Sequence, residues 1–316
     1  MNETLKEECT FVNKIQLGKS DLEVGEISLG CMRMNKLSKE EASNVIRNAI
    51  EQGVDLFDHA DIYGGGESES VFAEAFQMND DARENIKLQT KCGIRKGFFD
   101  FSKEHILESV EGSLQRLKTD YIDTLLLHRP DSLMEPEEVA EAFATLKESG
   151  KVRHFGVSNQ NPMQMELMSK YLGEDLIINQ LQLSLVHTPM IDEGFNVNMQ
   201  NDPSIVRASN ALEYCRLNDI TIQAWSPFQH GMIEGPFIGN EAFPEVNAKL
   251  QELAEKYSVT DSAMAIAWIL RHPAKIQPVV GTMNTQRLKD IAAASHIKIS
   301  REEWYELYRA AGNDLP

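Results

Sequence analysis

The 316-residue chain is short of positive charge: 31 lysines and arginines stand against 49 aspartates and glutamates, a formal net charge of −18. Neutralising a nucleic-acid backbone takes clustered basic side chains, so this balance argues against nucleic-acid binding, and it opposes contact with anionic membranes. An anionic small ligand would need a local concentration of positive charge. Cysteine is scarce too. The four present (Cys9, Cys31, Cys92, Cys215) lie far apart and form no C-x-x-C pair. They read as free thiols of a reducing compartment rather than a disulfide framework or zinc site, and the histidines show no ligand spacing either, so no metal is expected. No apolar run approaches the ~18 residues of a membrane span. The charged first ten residues lack the apolar stretch of a secretory signal, and the expected location is the cytoplasm. Phosphate-cradling loops are missing as well. Gly18-Lys19-Ser20 ends like a P-loop, but Asn13 stands where the first glycine belongs, and Gly64-Gly65-Gly66 lacks dinucleotide-binding spacing.

What the chain does have is rhythm. With 42% of its residues hydrophobic, it alternates short apolar runs of β character with stretches of helical periodicity. The expected strands are 26–31, 54–60, 86–92, 122–128, 152–159, 177–185, 221–227 and 276–282. Ser38 with Glu41 opens the first helix as a capping box, and Gly53 ends it. Ile106, Leu107, Val110, Leu114 and Leu117 give a long later helix its apolar face. Eight strands each followed by a helix predict an α/β fold, a (β/α)8 TIM barrel in a single domain spanning 1–316, with an N-terminal hairpin at 11–22 and extra C-terminal helices. An open doubly wound sheet is the rival, but Gly30-Cys31-Met32 after the first strand shows no dinucleotide turn. The longest irregular segments, 186–203 and 228–243, follow strands 6 and 7 and are expected to wall the pocket.

In such a barrel the chemistry sits at the C-terminal ends of the strands. There the sequence places Asp58 and Tyr63 (strand 2), Lys91 (strand 3), His128 (strand 4), Ser158-Asn159 (strand 5), Asn179-Gln180 (strand 6), Trp225-Ser226-Pro227 (strand 7) and Gly281-Thr282 (strand 8). Ionisable groups ending three successive apolar strands are costly unless they pair or react. A tyrosine, with a pKa of about 10, is a poor acid at neutral pH. An adjacent lysine ammonium lowers that value, and a carboxylate keeps the lysine charged. Asp58, Lys91 and Tyr63 supply this chain, and His128 adds a group able to hydrogen-bond a carbonyl oxygen. His59 is expected to face away from the mouth, because strand neighbours alternate.

The runs Phe-Asp-x-Ala-x-x-Tyr-Gly (57–64), Thr90-Lys91 and Leu-Leu-Leu-His (125–128) resemble the aldo-keto reductase superfamily, nearest its bacterial YdhF-like oxidoreductases. Gly-Val-Ser-Asn (156–159) and Ala-Trp-Ser-Pro (224–227) extend the likeness over nearly the whole chain. The resemblance implies reversible NADPH-dependent reduction of an aldehyde or ketone, with Tyr63 as proton donor and Asp58, Lys91 and His128 completing the tetrad. It implies NADPH across the barrel mouth, its carboxamide at Ser158, Asn159 and Gln180 and its ring stacked on Trp225. The diphosphate then lies along a segment beginning Ser226-Pro227, and the 2′-phosphate at Thr282 and Arg287. Two positions depart from the family pattern: Gly281 stands where many members carry lysine, and His59 where a small hydroxyl residue is common. Two other readings are a nicotinamide-binding, redox-sensing partner subunit and a barrel lyase forming a Schiff base on Lys91.

Overall fold

The structure, a computed structural model, describes residues 12–315. Eight parallel strands close into a barrel: Ser28–Gly30, Leu56–Asp58, Lys87–Cys92, Ile122–Leu127, Val152–Ser158, Leu176–Gln182, Thr221–Trp225 and Gln277–Val280. They are called strands 1 to 8 in that order. Consecutive strands pair in register and strand 8 returns to strand 1 through Val279↔Ser28, which leaves no free edge. Every expected strand is present, most of them trimmed at the ends. Strand 1 shortens from 26–31 to Ser28–Gly30, and the Glu26 amide donates instead to the Asn13 carbonyl of the preceding hairpin.

That hairpin pairs Lys14–Gln16 with Glu23–Gly25, so its return strand lies beyond the expected 11–22, and Phe11 lies outside the described residues, as does Cys9. Its turn requires Gly18, whose φ is +53° and whose missing side chain lets the loop approach the Ile177 carbonyl; a Cβ there would sit 2.7 Å from that oxygen. Leu17, Leu22 and Val24 pack on Leu56, Leu126 and Ile178 and plug the N-terminal end of the barrel.

Helices cover the outer face, and their boundaries follow local chemistry. Ser38 and Glu41 form the expected capping box on Lys39–Glu51, and Asn161 with Gln164 forms another on Pro162–Ser169. Met165 and Met168 are buried, whereas Met163 points to solvent at 73% exposure because it falls on the outer face of this helix. Segment 186–203 is only partly irregular and does not wall the pocket. It forms the helix Pro189–Phe195, which is tied to the C-terminal helix Arg301–Ala310 by an edge-on Phe195–Tyr308 contact and a 2.6 Å hydrogen bond from Tyr308 Oη to Asp192. No helix among the described residues is long and apolar enough to cross a membrane.

Two buried polar clusters brace the wall behind strands 2 to 4. Arg83 donates to Asp123 at 2.6 Å and to the backbone carbonyls of Ile86 and Tyr121, and Asp123 also accepts from the Leu88 amide. Removing Arg83 leaves buried Asp123 only the Leu88 amide and a longer 3.4 Å contact from half-exposed Arg153, a costly way to break a buried pair. Arg83→Met should therefore lower unfolding free energy by about 3–5 kcal/mol in urea titrations; a loss within 0.5 kcal/mol, as for a typical surface change, would contradict the bracing role. In the second cluster Glu69 accepts from Thr90 Oγ1 (2.6 Å) and Arg116 Nε (2.7 Å), and Asp61 lies beside it with one buried oxygen unpartnered. Burial, reinforced by the Glu69 charge, lifts the Asp61 carboxyl from 3.8 to about 6. With the folded value raised, protonation favours the native state, and this contribution is complete below about pH 4 and lost as pH rises through about 6. Asp61→Asn should gain stability relative to the parent between pH 4.5 and 7.5, by about 1–3 kcal/mol. A difference independent of pH would refute the assignment.

Candidate active site

Strand register sets the geometry of the mouth. Asp58 is paired with Gln89, and Gln89 precedes Lys91 by two residues, so both side chains enter the barrel on the same side. Lys91 is fully buried and spends all three ammonium hydrogens: on Asp58, both of whose oxygens lie at 2.7 Å, on the His59 carbonyl at 2.8 Å and on Tyr63 Oη at 3.3 Å. Burial works against its charge, but Asp58 and Tyr63 outweigh that and raise the pKa above 10.5. An amine held charged beneath the cavity floor is a poor Schiff-base nucleophile.

Tyr63 reaches this position through the turn after strand 2. Gly64, Gly65 and Gly66 all adopt positive φ (61°, 67° and 94°), and they swing the chain from the strand exit into the helix Glu67–Phe76. That is the role of the glycine run that fits no phosphate motif. The sequence expectation of a lowered tyrosine pKa is corrected in its net direction. Burial raises the phenol above 10.0, and the Lys91 ammonium offsets only part of the rise. The phenol is thus protonated at neutral pH, as a proton donor must be.

His128 follows strand 4, its ring edge-on to Tyr63 with 6.0 Å between centroids. Burial, then the charges of Lys91 and Arg129, hold its pKa well below 6.5, so it is a neutral imidazole near pH 7. His59 faces the opposite way as expected, with its ring against Phe72, and burial lowers its pKa to about 3. Cys31 and Cys92 are buried, and burial pushes both thiols well above 9.0, which leaves them inert.

Every expected site residue except Lys91 lines one cavity of about 810 Å³. On one flank Ser158 Oγ donates to the Gln180 carbonyl at 3.0 Å, Asn159 Nδ2 donates to Ser158 Oγ at 2.8 Å, and Trp225 Nε1 donates to Asn159 Oδ1 at 3.1 Å. Asn159 and Ser226 hold positive φ (59° and 54°) at the exits of strands 5 and 7, where non-glycine residues seldom do. Gln180 points inward and donates to Asp58 at 3.1 Å, whereas Asn179 points outward to the Gln160 carbonyl. Thr282 and Arg287 stand at the exit of strand 8, which pairs with strand 7. Arg287 lies in the first turn of the helix Thr285–Ala292, which Asn284 caps. Met32, Ile62 and Ile94, with Phe228 and Ile238 from segment 228–243, supply apolar wall.

Some functional side chains escape sequence reasoning. Gln89, Gln223 and Gln277 form a buried amide belt below Asp58: Gln89 donates to Asp58 at 2.6 Å and exchanges bonds with Gln223, which donates to Gln277 at 2.9 Å. Their signal was a polar residue at even spacing inside an apolar strand. Arg33 and Arg129 also line the cavity, and only their nearness to strand exits 1 and 4 marks them.

The sequence profile described as Aldo/keto reductase family matches residues 26–311. The uncharacterised oxidoreductase YcsN of Bacillus subtilis is 37% identical, with 96% of this chain and all of that protein covered. A 6-dehydroglucose reductase of Agrobacterium fabrum is 34% identical (92% and 95% covered), and oxidoreductase YdhF of Escherichia coli 32% (97% and 100%). A Klebsiella pneumoniae aldo/keto reductase solved with NADP and acetate superimposes with a TM-score of 0.74 at 22% identity, over 94% of this chain and 95% of that one. With the family profile spanning most of the barrel and relatives of this identity matched end to end, the chain belongs to the aldo/keto reductase family.

Proposed function

We propose that the protein catalyses reversible, NADPH-dependent reduction of aldehydes or ketones to alcohols, with Tyr63 as proton donor. The observation that carries the reading is the Lys91 ammonium fixed between Asp58 and Tyr63 Oη, directly under a cavity that Tyr63 and His128 line. NADPH bound there supplies the hydride. As the carbonyl carbon accepts it, the carbonyl oxygen takes the Tyr63 proton, and the phenolate left behind is stabilised by Lys91. Asp58 keeps that ammonium charged, and the amide belt keeps Asp58 oriented. Neutral His128 orients the carbonyl by hydrogen bonding, without supplying charge.

The residues present fit the cofactor. The cavity is large and runs from the tetrad to the strand 8 exit, and the far end carries Arg33 and Arg287, neither with a carboxylate partner among the described residues. Ser158, Asn159 and Gln180 would hold the carboxamide, Trp225 the ring, Ser226 and Pro227 the diphosphate segment, and Thr282 and Arg287 the 2′-phosphate. Gly281 brings no lysine, but Arg33 occupies the neighbouring space, donating to the Gly281 carbonyl at 2.9 Å. The Klebsiella neighbour's NADP supports the same choice of cofactor. The Agrobacterium relative's name points to a sugar-derived carbonyl among the candidate substrates.

Tyr63→Phe should lower turnover by about 10²–10⁴-fold while NADPH still binds, as followed by stopped-flow fluorescence and a screen over aldehydes, ketones and sugars. Near-normal turnover would refute the acid role, and absence of turnover in the parent would favour a sensor. Replacing Arg287 and Arg33 by alanine should weaken NADPH by roughly tenfold or more while leaving NADH much less affected. Equal losses for both cofactors would remove the 2′-phosphate assignment.

A further inference from the structure

The cavity holds more positive charge than its cofactor end accounts for. Three arginines line it (Arg33, Arg129 and Arg287), and the only carboxylate among the described lining residues is Asp58, already neutralised by Lys91. In a chain of net charge −18, which pairs many surface lysines and arginines, none of these three has an aspartate or glutamate within ion-pair distance among the described residues. Arg33 and Arg287 stand with Gly281 and Thr282, where the proposed reading puts the cofactor phosphates. Arg129 lies beside the tetrad. It follows His128 directly, its guanidinium sits over the Trp225 ring at 5.6 Å from the centroid, and it is close enough to Tyr63 for the phenol's charge to act on it.

Arg129 is half-buried, and none of its N–H groups donates to a protein acceptor among the described residues. Desolvating a guanidinium without an acceptor is unfavourable, so an unpaired one beside the reacting groups points to an anion that arrives from outside. The face of the group is engaged by the indole, which leaves its N–H edges for in-plane bonds, the arrangement a carboxylate matches with two parallel hydrogen bonds.

We propose that Arg129 anchors a carboxylate on the substrate, so that the preferred substrates are carbonyl compounds bearing an acid group. The assignment rests on the reductase reading above. It is tested with a pair of aldehydes of equal shape and different charge, 4-carboxybenzaldehyde and 4-carbamoylbenzaldehyde, reduced with NADPH by the parent, Arg129→Gln and Arg129→Lys. NADPH affinity reports that each variant is folded. The parent should favour the carboxylate in kcat/KM by on the order of 10- to 100-fold, carried mainly in KM. Arg129→Gln should abolish that preference, and Arg129→Lys should restore part of it. A parent that reduces the amide as well as the acid, or an Arg129→Gln variant that keeps the preference, overturns the anchor while leaving the reductase reading standing. Failure to reduce either aldehyde or any member of the wider carbonyl panel overturns the reductase reading and this assignment with it.

Discussion

The site is organised around a buried ammonium. Lys91 has no water to solvate it, so its charge survives only because its three hydrogens meet a carboxylate, a backbone carbonyl and a phenol. Each partner is fixed by a different piece of the fold. Asp58 ends strand 2, the His59 carbonyl comes from the residue that follows it, and Tyr63 is followed by three glycines at positive φ. Gln89 of the amide belt and Gln180 complete the arrangement by donating to Asp58 as well. Loss of Asp58 would leave a charge uncompensated in the barrel centre, so the contacts that hold the fold at its mouth also set the phenol against the ammonium.

Charge is distributed with equal economy of place. The chain is acidic, yet the cavity is lined by arginines, and the one carboxylate among its described lining residues is consumed internally. A ligand that carries phosphates at one end and meets an anionic partner at the other would find its charges met within the cavity. The acidic exterior would do nothing to retain it elsewhere on the molecule.

Much of this was legible in the sequence because the barrel repeats its rule eight times. Short apolar runs mark the strands, and polar residues that interrupt their ends mark the mouth, so Asp58, Tyr63, Lys91 and His128 could be gathered from the sequence. The alternation also placed His59 on the outside. What remained hidden depends on distance rather than pattern. Whether burial or Lys91 governs the Tyr63 phenol is a balance of opposing effects, and the sequence names only the participants. Arg33 and Arg129 come from exit loops with no period, and segment 186–203 looked like a pocket wall because nothing local reveals that Tyr308 draws its helix to the C-terminal end. Gln89 and Gln223 were visible as polar interruptions, but their link to Asp58 needed the register between strands.

The central claim is that the Lys91 ammonium offsets part of the rise that burial imposes on the Tyr63 phenol. The most direct test is the pH dependence of alcohol oxidation in single turnover, the direction that requires the phenolate. The rate should climb with pH to a break set by Tyr63, and in Lys91→Met that break should move to higher pH as the stabilising charge is lost. A break that stays where it was, or moves downward, would contradict the account.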